Sequence, residues 1–248
     1  REIFSMIDIK NLYLKFEDNI FFEDVELSLR EHKINVILGP NGAGKTTVLK
    51  ILTGLLKPDK VSEFGLLSKK IFYLPQKISY PKGLDVEEYI SSVFFKDSMV
   101  KWFLTKEEKR LLNEIIEKLE LSHIKNLSME KLSAGELQKT NIAIGLLSGA
   151  EVFFLDEPTS NMDLINQIKI LDMIKKLTEQ KEITAVVILH DLNLAESYGD
   201  YFIGITKEHK IFCKSKEGFF TKDMLKNIYG INFRITDDGE RLYVRVDK

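Results

Sequence analysis

The sequence predicts an α/β fold in which helices are inserted between two parts of a parallel β-sheet. Three observations lead to this prediction. An apolar strand over residues 34–38 runs directly into the glycine-rich segment GPNGAGKTT, and a helical pattern follows it. Two further apolar runs, EVFFLDEP and AVVILHD, are short and continuous, as is typical of strands buried on both faces of a parallel sheet. The residues between the first strand–loop–helix unit and these runs, 82–147, have mostly helical spacing.

The elements are predicted in order along the chain. Residues 7–38 have the alternation and clustering of short strands, with breaks at EDN and EHK. Residues 46–56 have helical spacing, and we expect this helix to stop at Lys57-Pro58 because proline disfavours the helical conformation of the residue before it. Further helices are predicted over VEEYISSVFF and KEEKRLLNEIIEKLEL and from Ser133 onward. The last stretch, residues 207–248, mixes strand-like and helical pieces and has no recognisable chemical motif.

Composition excludes several classes of protein. The 248 residues suffice for a full α/β domain with an insertion, and a net charge of −2 gives no general attraction for nucleic acid. Cys213 is the only cysteine and the four histidines lack metal-ligand spacing, which fits a reducing, cytoplasmic setting. No apolar run approaches the roughly 20 residues of a membrane-spanning helix. Residues 1–5 have no apolar core and are not expected to be a signal peptide.

The segment GPNGAGKTT matches the pattern of a phosphate-binding loop. Glycine backbones can turn successive N–H groups toward phosphate oxygens, and the N-terminus of the following helix favours negative charge. Lys45 is expected to reach the outer phosphates, and the Thr46 hydroxyl is expected to hold magnesium. The predicted phosphate-binding residues are Gly39, Asn41, Gly42, Ala43, Gly44, Lys45, Thr46 and Thr47.

Two adjacent carboxylates end the apolar run EVFFLDEP. A strand that simply reaches solvent could end in the same way. A phosphate loop, however, needs a nearby carboxylate to hold magnesium, and Asp156 is the candidate. Glu157 is then placed to act as general base on the attacking water. His190 ends the other apolar run; a lone histidine is often structural, but this one is expected at the carboxyl edge of the sheet, where α/β proteins bind ligands.

The segment KLSAGELQK begins a predicted helix with an unexpected glycine. Ser133 and Glu136 have the spacing of a capping box, in which each side chain accepts a hydrogen bond from the backbone N–H of the other residue. Gly135 is not explained by capping, because glycine in a helix costs about 1 kcal/mol relative to alanine. Its presence indicates a second role for this helix start.

The segments GPNGAGKTT, YLPQ, LSAGE, VFFLDEPTSNMD and LHD, in that order, closely resemble those of the ATP-binding-cassette (ABC) family of transport ATPases. The resemblance runs from about residue 7 to residue 206. It implies a P-loop NTPase core over residues 1–206, with an N-terminal antiparallel β subdomain and an α-helical subdomain inserted at about 77–147. Residues 207–248 would then form a small C-terminal mixed α/β element.

The resemblance also implies roles for individual residues. Gln76 would touch the magnesium ion or the lytic water and sense the membrane partner, His190 would contact the γ-phosphate, and Asp163 would lie at a dimer interface. Aligning NLYLKFEDN with the first strand of the family places Phe16 where an aromatic ring stacks on adenine, although Phe16 could instead be a core aromatic. The implied cofactors are ATP and Mg²⁺.

In this family the serine–glycine helix start is the signature motif, which binds the γ-phosphate of ATP held by a second subunit. Gly135 would let the backbone approach that phosphate closely. One phosphate loop and one signature in a chain imply a head-to-tail homodimer with two composite sites. The chain departs from the usual pattern at Ala134, at Glu136 and at His32, which replaces the glycine usual before the phosphate-loop strand. Glu136 would repel phosphate unless it folds back into its capping box.

The predicted function is the ATP-hydrolysing subunit of a membrane importer, bound peripherally at the cytoplasmic face of the membrane. Its partners would be integral membrane permease subunits and, indirectly, an exported substrate-binding protein; nucleic acid is not an expected partner. The alternative is a soluble ABC-type ATPase, for example one serving iron–sulfur cluster assembly. The sequence lacks the heptad runs of chromosome clamps, the second cassette of translation-type relatives and the Asn-Lys-x-Asp motif of GTPases.

The cargo prediction depends on LHDLNLAESYGDYF and KDMLKNIYGINFRI. Both resemble stretches of cassette subunits that serve importers of ferric siderophores, haem and cobalamin. Tyr229-Gly230 in the second segment could instead simply close a helix. The surface between Gln76 and Lys106 is expected to dock short cytoplasmic helices of the permease, with Tyr80 and Pro81 in contact.

Overall fold

The structure, a computed structural model, describes residues 6–17, 19–95, 103–239 and 241–247. Within these residues the largest sheet has six strands in the order β5-β6-β7-β3-β8-β9. They span Ile71–Leu74 (β5), Val152–Leu155 (β6), Thr184–Ile188 (β7), Ile34–Leu38 (β3), Tyr201–Ile205 (β8) and Ile211–Ser215 (β9). Pairing is parallel from β5 to β8, whereas β9 runs antiparallel to β8. The predicted α/β class with a parallel sheet is confirmed.

The central strands are buried on both faces. Every residue of β3, β6, β7 and β8 is buried, which explains why these strands appear in the sequence as short, mainly apolar runs. Successive side chains point to opposite faces, so the sheet separates two apolar cores. In β7, Val186 packs with helix α1 (Lys45–Leu52) and the N-terminal strands, while Val187 packs with the helices on the other face.

The N-terminal strands form a separate antiparallel sheet in the order β2-β1-β4. Strands β1 (Met6–Phe16) and β2 (Asn19–Arg30) pair along their whole length as a hairpin, and β4 (Glu63–Phe64) adds a short third strand. Apolar residues of β1 and β2 pack against α1 (Lys45–Leu52). This is the antiparallel β subdomain that the sequence predicted, and it places the tip of the hairpin beside the phosphate loop.

Helix α1 ends earlier than predicted. We expected it to continue to Lys57-Pro58, but its last residue is Leu52, and Gly54 follows in the left-handed conformation with φ 73. Glycine adopts this conformation without steric cost and commonly ends helices. The glycine, rather than the proline, therefore sets the end of the helix.

The helical insertion lies between β5 and β6. It contains α2 (Val86–Ser91), α3 (Lys106–Lys118) and α4 (Ala134–Leu147), with short 3₁₀ turns at Ser92–Phe95 and Met129–Lys131. Each of the three α-helices begins with a capping box, formed by Asp85, Thr105 and Ser133 with a glutamate three residues later. Helix α4 lies so close to the sheet that a Cβ on Gly145 would be 2.7 Å from the Phe153 ring.

The remaining helices lie in the part of the chain that follows β6. They are α5 (Leu164–Glu179), α6 (Leu192–Tyr198), α7 (Lys216–Phe219) and α8 (Lys222–Tyr229), and the hairpin of β10 (Phe233–Asp237) and β11 (Leu242–Val246) follows. Gly230 ends α8 with φ 73. The domain boundary that we predicted at residue 206 falls in the turn between β8 and β9, two paired strands of the main sheet.

Across the described ranges, the helices are all too short or too polar to cross a membrane.

Candidate nucleotide-binding site

Four neighbouring parallel strands bring the predicted site residues to one edge of the sheet. Gly39 follows β3, Gln76 comes shortly after β5, Asp156 follows β6, and His190 comes shortly after β7. Parallel strands end at the same edge, so residues that are distant in sequence meet there. The strand order β5-β6-β7 sets Asp156 and Glu157 between Gln76 and His190.

The predicted phosphate loop connects β3 to α1. A side chain cannot be accommodated at Gly39, because a Cβ there would lie 2.3 Å from the carbonyl oxygen of Ile205 in β8. Gly44 precedes the helix with φ 97, a left-handed value that favours glycine. The first N–H groups of α1 have no partner within the helix. The loop can therefore present these groups to an anion.

Lys45 folds back over this loop. It is 7% exposed, and its Nζ donates 2.9 Å hydrogen bonds to the carbonyl oxygens of Gly39 and Pro40. Burial lowers the pKa of Lys45, and the nearby carboxylates of Glu157 and Asp156 oppose that effect. A buried ammonium group held by neutral carbonyls is suited to bind the outer phosphates of a nucleotide.

Asp156 has two hydroxyl groups beside its carboxylate. The Thr46 Oγ1 lies 3.4 Å from Oδ1, and the Tyr73 hydroxyl lies 3.5 Å from Oδ2. Burial raises the pKa of Asp156, and burial together with Asp156 raises the pKa of Tyr73 to about 12. A hydroxyl and a carboxylate are oxygen ligands of the kind that Mg²⁺ prefers, so Thr46 and Asp156 fit a magnesium ion beside the phosphates.

A magnesium ion at this position would depend on the nucleotide for part of its coordination. Among the residues that the structure describes, no group of three His, Cys, Asp or Glu side chains could hold a metal ion. Mg²⁺ in nucleotide sites typically uses one or two protein ligands and completes its shell with phosphate and water oxygens. The Thr46–Asp156 pair meets that requirement.

Glu157 is held on both sides by other predicted site residues. The Gln76 Nε2 donates a 2.5 Å hydrogen bond to Oε2, and the His190 Nε2 lies 2.6 Å from Oε1. The Glu157 backbone has φ 51, in the left-handed region that non-glycine residues rarely adopt. Such outliers cluster at functional sites, and here the backbone turn directs the carboxylate toward its two partners.

Phe16 is 44% exposed and lies at the end of β1. Its ring packs edge-on against Phe21, with centroids 5.2 Å apart. Phe21 in turn lies against the phosphate loop, since a Cβ on Gly44 would be 2.7 Å from its ring. An exposed aromatic ring near the start of α1 is compatible with stacking on a base. The alternative interpretation, that Phe16 is a core aromatic, is wrong because the side chain is not buried.

The signature residues lie on a different surface from the phosphate loop. Ser133 and Gly135 line a cavity of about 230 Å³ together with residues of the insertion and of α5. A Cβ on Gly135 would come no nearer than 3.9 Å to Asn166, so packing within the chain does not require glycine there. Asp163 caps α5 by accepting a 2.8 Å hydrogen bond from the Asn166 N–H.

The predicted capping box at this helix is confirmed. The Ser133 side chain accepts from the Glu136 N–H, and the Glu136 carboxylate accepts from the Ser133 N–H at 2.8 Å. Hydrogen bonds from Ser133 lower the pKa of Glu136. Glu136 is therefore folded back, as the sequence required if this helix start is to accept a phosphate.

Sequence reasoning missed three residues that touch the site: Tyr73, Phe21 and His209. Tyr73 lies in β5, which pairs with β6, the strand that leads to Asp156. Its contact with Asp156 could be predicted only if the strand order were already known. The His209 ring stacks on Phe21, with centroids 3.7 Å apart. Nothing in the local sequence around His209 indicates a contact with the phosphate loop.

Comparison with known proteins identifies the family that the sequence motifs resemble. The family model described as "ABC transporter" matches residues 22–160. The chain is 29% identical to the Bacillus subtilis protein named "Probable siderophore transport system ATP-binding protein", over 94% of this chain and 89% of that protein. It is 30% identical to the iron(3+)-hydroxamate import ATP-binding protein of the same species, over 94% of this chain and 91% of the relative.

Two solved structures have the same fold. An ABC transporter in an inward-facing conformation aligns with a TM-score of 0.84 at 22% identity, covering 98% of this chain and 97% of the other. An ATP-binding cassette solved as a dimer in a post-hydrolysis state with ADP and Pi aligns with a TM-score of 0.69 at 25% identity, covering 86% of this chain and 99% of the other. With the family model matching more than half of its length, the chain belongs to the ABC transporter family.

Proposed function

We propose that this chain is the ATP-hydrolysing subunit of an ABC importer and that the imported substrate is an iron chelate. The observation that carries the proposal is the placement of Glu157, whose carboxylate lies between Gln76 and His190 and directly follows Asp156. This places a candidate base beside a phosphate loop and a candidate metal ligand.

Each residue of the site would have its own role in ATP binding and hydrolysis. The loop N–H groups and Lys45 bind the phosphates of ATP, while Thr46, Asp156 and Gln76 hold Mg²⁺, which supplies charge neutralisation at the phosphates when it is bound. Glu157 accepts a proton from the attacking water. His190 orients the Glu157 carboxylate and contacts the γ-phosphate.

The second half of each site would come from another copy of the chain. Ser133 and Gly135 lie at the start of α4, where free N–H groups can bind a phosphate, yet the cavity that they line includes no residue of the phosphate loop of their own chain. A head-to-tail homodimer would bring this surface against the γ-phosphate held by the partner, with Asp163 at the interface. The absence of any packing need for glycine at Gly135 supports a role in close approach to a ligand.

The importer assignment and its substrate class follow the relatives. Three relatives of this chain are named for siderophore, iron-hydroxamate and petrobactin import. We extend that class to this chain and retain haem and cobalamin as substrates to be tested. Membrane permease subunits and an exported substrate-binding protein would be its partners, and a peripheral position at the cytoplasmic face would follow from them.

The permease would dock on the surface between Gln76 and Lys106. Tyr80 packs against the helical core and Pro81 is exposed next to it. Residues 96–102, which belong to the predicted docking surface, lie outside the described residues. A contact beginning at Gln76 would link the permease to Glu157 through the hydrogen bond between these two side chains.

Uptake by vesicles tests the function and separates it from the soluble alternative. The chain is reconstituted with its permease, and ATP-dependent uptake is measured with ferric siderophore, haem and cobalamin, using Glu157→Gln as the inactive control. Uptake of a ferric siderophore supports the proposal. ATP-dependent uptake of a sugar or amino acid would overturn the substrate class, and ATPase activity that no permease couples to uptake would favour a soluble ABC-type ATPase.

A further inference from the structure

The turn between β8 and β9 presents a histidine to the phosphate loop. In this turn the His209 N–H donates to the Thr206 carbonyl, and the Thr206 N–H donates to the Lys210 carbonyl, both at 3.0 Å. His209 has φ 62, a left-handed value that glycine would adopt without strain. The backbone here does not require histidine, so its side-chain contacts are what distinguish it from glycine.

Those contacts reach the phosphate loop in two ways. The His209 Nδ1 lies 3.0 Å from the carbonyl oxygen of Ala43, and the ring stacks on Phe21 at 3.7 Å with an interplanar angle of 26°. Phe21 itself lies against Gly44, where a Cβ would be 2.7 Å from the ring. His209 and Phe21 therefore pack against consecutive residues of the loop.

The contact with Ala43 fixes the orientation of a whole peptide group. A carbonyl oxygen only accepts, so the His209 Nδ1 must carry the proton, which it does in one neutral tautomer and in the charged ring. The peptide unit is planar and trans, so its C=O and N–H point in opposite directions. Holding the Ala43 carbonyl toward His209 directs the Gly44 N–H away from it, although glycine itself places little restriction on this peptide.

We propose that His209 is a positioning residue of the nucleotide site: its Nδ1–H holds the Ala43–Gly44 peptide so that the Gly44 N–H faces the phosphates of ATP. This inference rests on the proposed binding of ATP at the loop. The Gly44 N–H would contact the phosphates both in the complex with bound ATP and in the transition state. Loss of the His209–Ala43 hydrogen bond therefore weakens ATP binding and raises KM, while kcat at saturation stays nearly constant.

Three substitutions at one position separate the hydrogen bond from packing and folding. His209→Gly relieves the strain of the left-handed backbone and removes the Nδ1–H donor. His209→Asn tolerates this backbone and carries Nδ2 on the same atom, Cγ, that bears Nδ1 in histidine. His209→Asp has the same shape as asparagine but presents only acceptors when ionised. The matched control is His32→Gly, at a second left-handed histidine with φ 55 whose N–H bonds to Thr184 at the opposite edge of the sheet.

ATP affinity is measured by calorimetry on the full chain, with KM and kcat from phosphate release and thermal unfolding for each variant. We expect His209→Gly and His209→Asp to bind ATP about fivefold more weakly, as loss of one neutral hydrogen bond predicts. We expect His209→Asn to stay within about twofold of the wild type and His32→Gly to match it. Thermal unfolding shows that each variant is folded at the temperature of the binding measurement.

Several outcomes would overturn the inference. Wild-type affinity in His209→Gly would show that the contact does not position the loop, and an asparagine variant as weak as the glycine variant would assign the effect to ring stacking instead. A fall in kcat with unchanged KM would also contradict it. If the wild type itself binds no ATP, the proposed function fails and this inference fails with it, whereas the other outcomes leave ATP binding intact.

Discussion

The Nε2 of His190 lies 2.6 Å from the Oε1 of Glu157, although the two residues follow different strands of the sheet. The Glu157 side chain is 19% exposed and that of His190 is 47% exposed, so the carboxylate is the more buried member of the pair. Gln76 holds the other carboxylate oxygen. The candidate base therefore has a fixed position and direction.

Glu157→Gln should retain ATP binding and lose hydrolysis by roughly 10²- to 10⁴-fold, since the proposed general base is removed while the phosphate loop is unchanged. An ATP-bound dimer should accumulate. Phosphate release and sedimentation with ATP measure the two effects. Glu151 is an exposed carboxylate immediately before the first residue of β6. Glu151→Gln is the control and should behave as the wild type. A glutamine variant that hydrolyses ATP at the wild-type rate would remove Glu157 from the mechanism.

Lys45→Ala should abolish productive ATP binding, because the buried ammonium group that we propose binds the outer phosphates is lost. Calorimetry with ATP gives the affinity. Lys50→Ala, which removes an exposed lysine from the same helix, should leave it unchanged. Retained affinity and turnover in Lys45→Ala would contradict the assignment of the phosphate loop.

Asp156→Asn should stabilise the protein at pH 7 in the absence of nucleotide while it weakens magnesium-dependent ATP binding. Burial raises the pKa of Asp156 above the ordinary value of an aspartate, so the folded chain holds the proton more tightly than the unfolded chain. Its contribution to stability is full below the unfolded pKa and is lost as pH rises through the folded pKa.

Asp156→Asn should therefore raise the free energy of unfolding at pH 7, and the gain should shrink toward pH 4. Urea unfolding at several pH values measures it. In the asparagine variant one of the Thr46 and Tyr73 hydroxyls can accept from the amide N–H while the other donates to the amide oxygen. Equal stability differences at pH 4 and pH 7 would show that the buried charge is not the cause.

A mixture of Lys45→Ala and Ser133→Arg chains tests whether each site is shared between two copies. Each variant alone should be inactive. In a mixed head-to-tail dimer one site carries both lesions and the other carries neither, so random mixing should restore about a quarter of wild-type sites. Phosphate release from the mixture measures this. If each chain completed its own site, mixing would restore no activity.

The sequence alone determined the parts of the protein that depend on neighbouring residues. The strand Ile34–Leu38 has the predicted bounds, because a strand buried on both faces leaves a continuous apolar run. The phosphate loop and the capping box of Ser133 were also predictable, since glycine conformation and capping act over a few residues. The Glu136 carboxylate could be placed in the same way.

Only the tertiary structure decided which of these parts meet. Gln76, Glu157 and His190 come together because β6 pairs with both β5 and β7, and such pairing depends on contacts between segments that are far apart in the chain. The left-handed backbone of Glu157 and the packing of His209 on Phe21 are likewise held by surrounding elements. Local patterns specify strands and turns, but strand order and turn contacts are set by the packing of the whole core, which no short stretch of sequence contains.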